Sequence, residues 1–506
     1  MGTESVVVVG AGIGGLVAAL ELAHRGLDVT VLEAAAEPGG KMRRVDTAAG
    51  PLDAGPTVFT LRGIFDGLFD AVGESFDAEV SLTPLDILAR HAWGEGEVLD
   101  LHADAARSAE AIGAFAGGAA ADGFRRFAAD SRRIFGLLDA SFMQAPRPSL
   151  VGLAAGLGLS GLAIRPFETL WQALGGYFDD PRLRQLFGRY ATYCGSSPFQ
   201  APATLMLVAH AEQAGVWTIK GGMQELARVV ARLAAARGAR FRYGAAVESI
   251  LMAGGVSAGV RLAGGEEIAA DVVVWNGDAG ALRLGLAGPA AVRAVPPADP
   301  GARSLSAVTW SLAATATGFP LAHHTVFFSA NYRAEFDAIM AGGRLPDAPT
   351  IYLCAEDRAE GQAPPVGPER ILCLVNAPPA AETGRPDDEE IARCEAAMME
   401  RLRRSGLMLD PASRTVTGPR DFGRLFPGTG GALYGLATHG AMASFRRPGS
   451  RTAIPRLVLA GGSVHPGPGV PMAAISGRLA ARTVMEDLTS RRVSSRTAMR
   501  GGMSTR

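Results

Sequence analysis

The sequence predicts an α/β protein in which an N-terminal nucleotide-binding domain is interleaved with a second domain. The β-branched run Val6–Val9 leads into GAGIGG at 10–15, and apolar residues then recur at helical spacing. A second strand-like run, Val29–Leu32, ends at Glu33, and RLVLA at 456–460 indicates another buried strand far along the chain. A chain of 506 residues is long enough to form two domains.

The first strand, loop and helix carry the residues needed to bind a dinucleotide pyrophosphate. Gly10 permits a tight turn, Gly12 lets the backbone approach a phosphate, and Gly15 lets the helix pack closely on the strand. Gly14 lies in the same loop and is also a predicted contact. The helix N-terminus offers N–H groups to the anion. Glu33 is placed to accept hydrogen bonds from an adenosine ribose, so the sequence predicts a nucleotide site.

The neighbouring sequence indicates how many nucleotides bind and how far the ligand extends. The glycine pattern recurs at 156–161, but no strand leads into it and Pro166 interrupts the helix that would follow, so we reject a second site. Two further glycine-containing turns, PGGK at 38–41 and DAGPT at 53–57, follow the first site. They indicate a ligand that continues beyond its adenosine half, as FAD does.

Charge and cysteine usage argue against several classes of function. The chain has 49 basic and 50 acidic residues and a net charge of −1, so a nucleic-acid partner is not expected. The cysteines show no CxxC spacing, which argues against a zinc site or a disulfide framework. No metal site is therefore predicted, and a reduced cytoplasmic setting fits the four cysteines, Cys194, Cys354, Cys373 and Cys394.

The longest apolar stretch, Leu150–Ile164, is shorter than the roughly 20 residues of a membrane-spanning helix. Because Arg147 and Arg165 flank it, it could lie in a membrane interface. A buried helix of the second domain is the alternative. The arginine-rich tail at 491–506 is predicted to be disordered.

Several motifs together resemble the bacterial phytoene-desaturase type of FAD-dependent carotenoid desaturases. Beyond the N-terminal glycines, they are GGKM with DAGPT, WTIKGGMQEL at 217–226, FPGTGGALYG at 426–435 and GGSVHPGPGVP at 461–471. The last motif is quite specific to carotenoid desaturases and related isomerases. Two further stretches, 190–223 and 323–339, look most like the hydroxyneurosporene desaturases. The likeness covers nearly the whole chain.

The resemblance implies a Rossmann-like FAD-binding domain of the flavin amine oxidase and phytoene desaturase type. That domain is expected to be discontinuous and to comprise 1–75, 205–290 and 440–490. The intervening segments, 76–204 and 291–439, are expected to form a substrate domain with an apolar cavity. The FAD is expected to be bound non-covalently.

The resemblance also implies which residues contact FAD. The loop after the last strand of the sheet lies along the flavin in this family, and the backbone at Val247 contacts adenine. Lys41 stands where the family usually has Arg, so a compact ammonium group replaces a planar guanidinium that could donate two parallel hydrogen bonds. The implied contacts beyond the N-terminal glycines and Glu33 are Gly40, Lys41, Gly55, Pro56, Thr57, Val247, Gly462, Val470, Pro471 and Met472.

The implied activity is desaturation of an acyclic carotenoid at the C3–C4 bond of a 1-hydroxycarotenoid, in spheroidene or spirilloxanthin biosynthesis. Electrons would pass to oxygen or a quinone, and the enzyme would act in the cytoplasm at a membrane surface. The alternatives are phytoene desaturation, redox-neutral carotenoid isomerisation, and non-enzymatic isoprenoid binding as in Rab GDP-dissociation inhibitors. No catalytic residue is identified. His465 is assigned to packing, and Lys220 faces either the flavin or solvent.

Overall fold

A parallel five-stranded sheet carries the predicted nucleotide site. In a computed structural model, the described residues are 3–94, 96–145, 165, 167–359, 362–379 and 384–501. The sheet has the order β19-β13-β1-β2-β9, with the strands β1 Ser5–Val9, β2 Asp28–Leu32, β9 Arg240–Arg242, β13 Val272–Trp275 and β19 Leu457–Leu459. The α/β fold predicted from the sequence is therefore confirmed.

The strand sequences explain why both faces of this sheet are covered. Val6 and Val8 point into a core shared with three helices, Ile13–His24, Met223–Ala236 and Val470–Gly501. The alternate residues of the same strand face a small antiparallel sheet instead. That sheet has the order β10-β11-β12, with the strands β10 Val247–Ala253, β11 Val256–Leu262 and β12 Glu267–Ala269. Continuous β-branched runs are the sequence pattern that such double burial produces.

A seven-stranded mixed sheet forms the second part of the molecule. Its order is β18-β14-β17-β16-β15-β6-β7, with the strands β6 Ile87–Trp93, β7 Glu97–His102, β14 Ser306–Gly318, β15 His324–Phe327, β16 Ile351–Ala355, β17 Glu369–Ala377 and β18 Leu407–Thr417. One face packs on helices from 105–213 and the other on the helix Asp388–Arg404. The remaining strands form two short pairs, β3 Arg44–Thr47 with β4 Gly50–Asp53 and β5 Leu82–Pro84 with β8 Trp217–Ile219.

The other helical segments of the described residues connect these sheets. The α-helices are Gly63–Asp70, Phe76–Glu79, Ala105–Ala116, Gly118–Leu138, Leu170–Leu174, Pro181–Gly188, Leu207–Gln213, Ala279–Arg283, Tyr332–Met340 and Pro419–Leu425. Short 3₁₀ or π turns are Asp139–Met143, Arg189–Cys194, Ala203–Met206, Pro289–Ala294, Pro300–Ala302 and Ala443–Arg446.

The strands of each large sheet come from separated parts of the chain. Those of the parallel sheet lie in 5–32, 240–275 and 457–459, and those of the seven-stranded sheet lie in 87–102 and 306–417. This grouping supports the proposed interleaved domains, whose boundaries stay a prediction.

The C-terminal segment carries the tail that is predicted to be disordered. The last helix runs Val470–Gly501, and the disorder of 491–506 stays a prediction. Across the described ranges, no helix is both long and apolar enough to cross a membrane. The predicted interfacial stretch 150–164 lies outside the described residues.

Candidate functional site

Backbone atoms dominate the loop between β1 and the first helix. Gly10 adopts a φ of +96°, which favours glycine, and Gly12 is the helix N-cap without a side chain to occupy the first-turn N–H groups. A Cβ on Gly15 would lie 2.2 Å from the Gly10 carbonyl oxygen, and one on Gly14 would lie 2.8 Å from the Gly461 nitrogen. The close helix–strand packing predicted for Gly15 is thus present, and Gly14 lets the C-terminal strand approach.

Asn276, directly after β13, joins the loops that surround this helix N-terminus. Its side-chain amide donates hydrogen bonds to the carbonyl oxygens of Gly10 at 3.2 Å and Gly12 at 3.4 Å. Its Oδ1 would be 2.9 Å from a Cβ on Gly461. Sequence analysis missed Asn276. The available signal was a polar residue placed directly after an apolar strand, where the carboxyl ends of parallel strands meet.

Glu33 lies beside the glycine loop, where a ribose-binding carboxylate is expected. Its Oε2 accepts a hydrogen bond from the Ala11 N–H at 2.6 Å, and its Oε1 accepts one from the Ala35 N–H at 2.8 Å. The Ala245 N–H donates to the Glu33 backbone carbonyl at 2.8 Å. The start of β10 at Val247, two residues beyond Ala245, is therefore held on the same side of the site as Glu33.

The two glycine turns that follow pack on the first loop. A Cβ on Gly40 would lie 3.1 Å from the Cα of Gly12, and one on Gly55 would lie 1.9 Å from the Lys41 carbonyl oxygen. Neither position can carry a side chain without moving backbone. Gly40 thus lies against the N-terminal glycine loop, and Gly55 packs on the backbone of Lys41.

The Lys41 side chain bridges to a distant loop. Its Nζ donates a hydrogen bond to the Leu433 carbonyl oxygen at 2.5 Å and lies 5.4 Å from the centre of the Phe426 ring. Burial lowers the pKa of Lys41, an effect that Asp278 partly opposes. Lys41 therefore ties the GGKM turn to the FPGTGGALYG segment.

The C-terminal loop lies beside the first helix. The helix after it starts at Val470, and the Ala473 N–H donates to the Gly469 carbonyl at 2.9 Å. Val470 and Pro471 are buried, whereas Met472 is half-buried and packs against the core of the second domain. The nearest atom to a Cβ on Gly462 would be 3.7 Å away, so space remains there.

Arg447, which sequence analysis missed, connects the two C-terminal glycine motifs. Its guanidinium donates to the carbonyl oxygens of Tyr434 at 2.9 Å and Leu436 at 2.5 Å. The same side chain lies 3.6 Å from the position of a Cβ on Gly467. Burial lowers the pKa of Arg447 to about 10, so the guanidinium stays charged at neutral pH. An isolated Arg outside the glycine motifs gave no signal in the sequence.

His465 and Lys220 lie in different surroundings. His465 is buried, and its Nε2 donates to the Phe142 carbonyl oxygen at 2.9 Å. Its ring meets the Phe142 ring edge-on at 4.8 Å. Burial lowers the pKa of His465 to about 4, so the imidazole is neutral at physiological pH. The packing role assigned to His465 fits these contacts, and the Lys220 side chain is exposed to solvent.

Thr57 links the glycine turns to the seven-stranded sheet. Its hydroxyl lies 2.6 Å from the Tyr352 hydroxyl, which in turn lies 2.8 Å from Nδ1 of His324. Pro56 precedes Thr57 and is half-buried at the same border. The predicted flavin contacts Gly55, Pro56 and Thr57 therefore lie where the two sheets approach each other.

One group of described residues has the composition of a metal site. His323, His324 and Cys354 place one potential ligand atom each within 4.8 Å of one another. Burial raises the pKa of the Cys354 thiol well above its usual value, which disfavours the thiolate that metals bind. Nδ1 of His323 lies 3.3 Å from the Arg358 carbonyl oxygen. We therefore assign these residues to the hydrogen-bonded interior of the sheet.

The residues fit a dinucleotide. The helix N-terminus lacks a capping side chain, three glycines expose backbone, and Glu33 stands at the end of β2. An anionic pyrophosphate would be stabilised by the N–H groups and dipole of the helix.

The chain is similar over its full length to known proteins of one chemical type. The family model described as "Flavin containing amine oxidoreductase" matches residues 13–485. The chain is 52% identical to a hydroxyneurosporene desaturase of Rubrivivax gelatinosus, with 100% of this chain and 97% of that protein covered. It is 49% identical to the hydroxyneurosporene desaturase of Cereibacter sphaeroides, and the match covers 96% of this chain and 98% of that protein.

Solved structures share the fold at low sequence identity. A putrescine oxidase bound to putrescine superposes with a TM-score of 0.60 at 15% identity, covering 96% of this chain and 99% of that one. Cyclohexylamine oxidase from Brevibacterium oxydans gives a TM-score of 0.57 at 15% identity, covering 96% and 100%. These likenesses concern the fold.

Proposed function

The chain belongs to the flavin-containing amine oxidoreductase family, and we propose that it is an FAD-dependent desaturase that introduces the C3–C4 double bond into a 1-hydroxycarotenoid. The observation that carries the proposal is the 45–52% identity to three hydroxyneurosporene desaturases over at least 96% of this chain. The glycine-lined site described above is the part of the chain that suits a flavin cofactor. We infer that the pathway is that of spheroidene or spirilloxanthin.

FAD, rather than the shorter FMN, is supported by the residues on the adenosine side. Glu33 and the backbone at Val247 lie on one side of the glycine loop, where an AMP half would be held. Gly12 and Gly14 would expose backbone to the pyrophosphate, and Gly462 and Met472 would lie along the flavin half. When bound, the flavin supplies the hydride acceptor for the oxidation.

Non-covalent binding is supported by the cysteines. Amine oxidases that tether the flavin use a cysteine near the C-terminal flavin loop, and no cysteine follows Cys394 in this sequence. Cys194 interacts electrostatically with Arg447, beside that loop, but burial raises the Cys194 pKa to about 11. Its thiol is protonated at neutral pH and is a poor nucleophile. Acid precipitation should therefore release all the flavin into the supernatant.

The chain's own contribution is to hold an apolar substrate and exclude water. Val58, Phe445 and Met472 are half-buried and pack against the core of the second domain, so they present apolar surface near the glycine loops. A carotenoid has few polar groups, so its binding depends on burying apolar surface, which is worth about 25 cal/mol per Å². With His465 neutral and bonded to a carbonyl, the chain offers no strong base in this loop.

Peripheral attachment to a membrane is also part of the proposal. Phe167 is 89% exposed and lies close in sequence to the apolar stretch 150–164. Arg165, expected to meet lipid phosphates, forms an ion pair with Glu168 at 2.8 Å. Phe167→Asp should reduce sedimentation with anionic liposomes, whereas Val366→Asp, at an even more exposed position, should not. Equal sedimentation of both variants and the parent would contradict this attachment site.

Anaerobic mixing with 1-hydroxyneurosporene tests the activity. A desaturase should reduce the flavin in proportion to product, and the product should gain one conjugated double bond. Isomerisation would change the carotenoid spectrum without net flavin reduction. Turnover of phytoene but not of the hydroxylated substrate would instead identify a phytoene desaturase. Purification of the chain without any flavin would support the isoprenoid-binding alternative.

A further inference from the structure

A charged and hydroxylated cluster lies in the second domain, beside its apolar core. We call Arg189, Tyr193, Glu212 and Tyr352 the polar anchor. The guanidinium carbon of Arg189 lies 5.3 Å from the centre of the Tyr193 ring and 5.2 Å from that of Tyr352. Glu212 is 4% exposed and accepts the Tyr193 hydroxyl at 2.8 Å. The cluster therefore holds a cation between two aromatic rings, with a buried carboxylate behind one of them.

The surroundings make this cluster energetically unusual. Half-buried apolar residues of the same core include Val58, Leu207, Val208, Phe445 and Met472. Withdrawing an ion from water costs several kcal/mol unless it is paired and hydrogen-bonded. If Arg189 and Glu212 served only to fill this core, apolar residues of similar volume would stabilise it equally well. A polar ligand would explain why this position keeps a charge.

Arg189 retains capacity to bind such a ligand. Among the described residues, its guanidinium makes one hydrogen bond, from Nη1 to the Tyr193 hydroxyl at 3.4 Å, although it has five N–H donors. Arg189 and Tyr193 are half-buried, yet burial raises the pKa of Tyr193. Both side chains are therefore partly accessible, although burial reduces their contact with water. Arg189 can donate to a polar group placed against the accessible part of its guanidinium.

The anchor also lies next to the proposed flavin site. The Tyr352 hydroxyl is 2.6 Å from the hydroxyl of Thr57, one of the proposed flavin contacts. In a 1-hydroxycarotenoid, the hydroxyl on C1 is only about 4 Å from C3 and C4, given bonds of about 1.5 Å. A residue that recognises this hydroxyl must therefore lie close to the hydride acceptor. Arg189 meets that requirement through Tyr352, because its guanidinium lies over the Tyr352 ring and the Tyr352 hydroxyl contacts Thr57.

We propose that Arg189 donates a hydrogen bond to the C1 hydroxyl oxygen and thereby selects hydroxylated carotenoids. Tyr193 and Glu212 are positioning residues that hold the guanidinium in place. This inference rests on the proposed function, because it assumes a carotenoid substrate. Neither the family match nor the fold supplies it.

The test compares two substrates that differ only in the hydroxyl, 1-hydroxyneurosporene and neurosporene. A hydrogen bond to a charged group is worth about 1.5–3 kcal/mol, or about ten- to a hundredfold. Arg189→Met should lower kcat/KM for the hydroxylated substrate by that factor and leave neurosporene turnover unchanged. Tyr193→Phe should cause a smaller loss of the same selectivity. Tyr177→Phe, which removes a hydroxyl bonded to Asp130 in the same domain, should leave the ratio unchanged.

Equilibrium binding separates this inference from the proposed function. If the parent turns over neither carotenoid, the function is wrong, but titration of the holoenzyme with each carotenoid, followed by its visible absorption, still measures selectivity. A preference for the hydroxylated polyene that Arg189→Met abolishes would support the anchor. An equal loss for both carotenoids, or no loss for either, would overturn it. Should Arg189→Met not fold, unchanged selectivity in Tyr193→Phe would overturn it instead.

Discussion

The parallel sheet and the seven-stranded sheet present different kinds of atoms to the space between them. At the carboxyl edge of the parallel sheet, the groups are backbone N–H and C=O of glycines such as Gly10 and Gly12, with Asn276 holding the loops together. Beside the seven-stranded sheet, they are side chains, with Arg189 held between the rings of Tyr193 and Tyr352.

This difference suggests how each half recognises its ligand. Backbone groups at a helix N-terminus suit a phosphate that many proteins share. At Gly14 and Gly15 an added Cβ would clash with neighbouring backbone. Side chains can change one at a time without rebuilding the loop. The nucleotide half should therefore respond to mutation by losing cofactor or fold, and the other half by changing substrate preference.

The largest effect is expected from Gly15→Ala. The new Cβ would lie 2.2 Å from the Gly10 carbonyl oxygen, so backbone must move. Overpacking typically costs 1–3 kcal/mol, and a clash with backbone should reach about 3 kcal/mol. The variant should lose flavin absorbance and unfold at a lower temperature. In Gly63→Ala no atom lies within 4 Å of the new Cβ, and this helical control should keep both properties. Parental flavin content in Gly15→Ala would contradict the packing argument.

Glu33→Ala should have the next largest effect. It removes the acceptor for the N–H groups of Ala11 and Ala35 together with the proposed ribose contact. Charge-assisted hydrogen bonds are worth about 1.5–3 kcal/mol, so FAD affinity should fall about ten- to a hundredfold. Titration of the apoprotein with FAD measures this. Glu37→Ala, four residues further on and paired with Arg228, should bind FAD like the parent. If the two variants bind FAD equally well, Glu33 is not a cofactor residue.

The sequence predicted the nucleotide half better than the other half because its signals are local. Gly10, Gly15 and Glu33 lie within one strand–helix–strand unit, and each has a backbone or charge reason visible in the sequence. Asn276 acts only because β13 is placed beside β1, an arrangement that depends on tertiary packing.

The polar anchor could not be predicted for the same reason. Arg189 and Glu212 belong to separate helical segments, and Tyr352 comes from a strand far along the chain, so the three meet only through the packing of helices on the seven-stranded sheet. No spacing rule links them.

Stability at alkaline pH tests the border between the two halves. Glu356 accepts the Asp53 N–H at 2.7 Å, and burial together with the nearby Asp53 charge raises the Glu356 pKa to about 8, despite Arg370. An unfolded Glu titrates near 4.5, so the folded protein holds a proton that the unfolded chain releases between those values. The protonated Glu356 therefore contributes its whole share of the folding stability below about pH 4.5, and this contribution is lost as pH rises through about 8.

Glu356→Gln should therefore flatten the decline of Tm between pH 5.5 and 8.5. A difference of ~1 kcal/mol corresponds to about 2–4 °C in domains of 150–250 residues, and the parent should lose about that much more than the variant. Asp357→Asn is the matched control. Burial would raise the pKa of Asp357, but hydrogen bonds from Arg370 outweigh it and the pKa is lowered. Asp357→Asn should keep the parental alkaline decline, and the same slope in Glu356→Gln would contradict the assignment.

The smallest effect is expected at Lys41, where a side chain from the nucleotide half reaches the FPGTGGALYG segment. Lys41→Arg should leave FAD affinity within about threefold, or about 0.6 kcal/mol, because guanidinium can also donate to the Leu433 carbonyl and stack on Phe426. Lys41→Met removes the donor and should weaken FAD binding about fivefold, the ~1 kcal/mol of one hydrogen bond. Both constants come from titrating apoprotein with FAD. A tenfold loss in Lys41→Arg would mean that the compact ammonium is required, and parental affinity in Lys41→Met would mean that the contact with Leu433 does not support the cofactor.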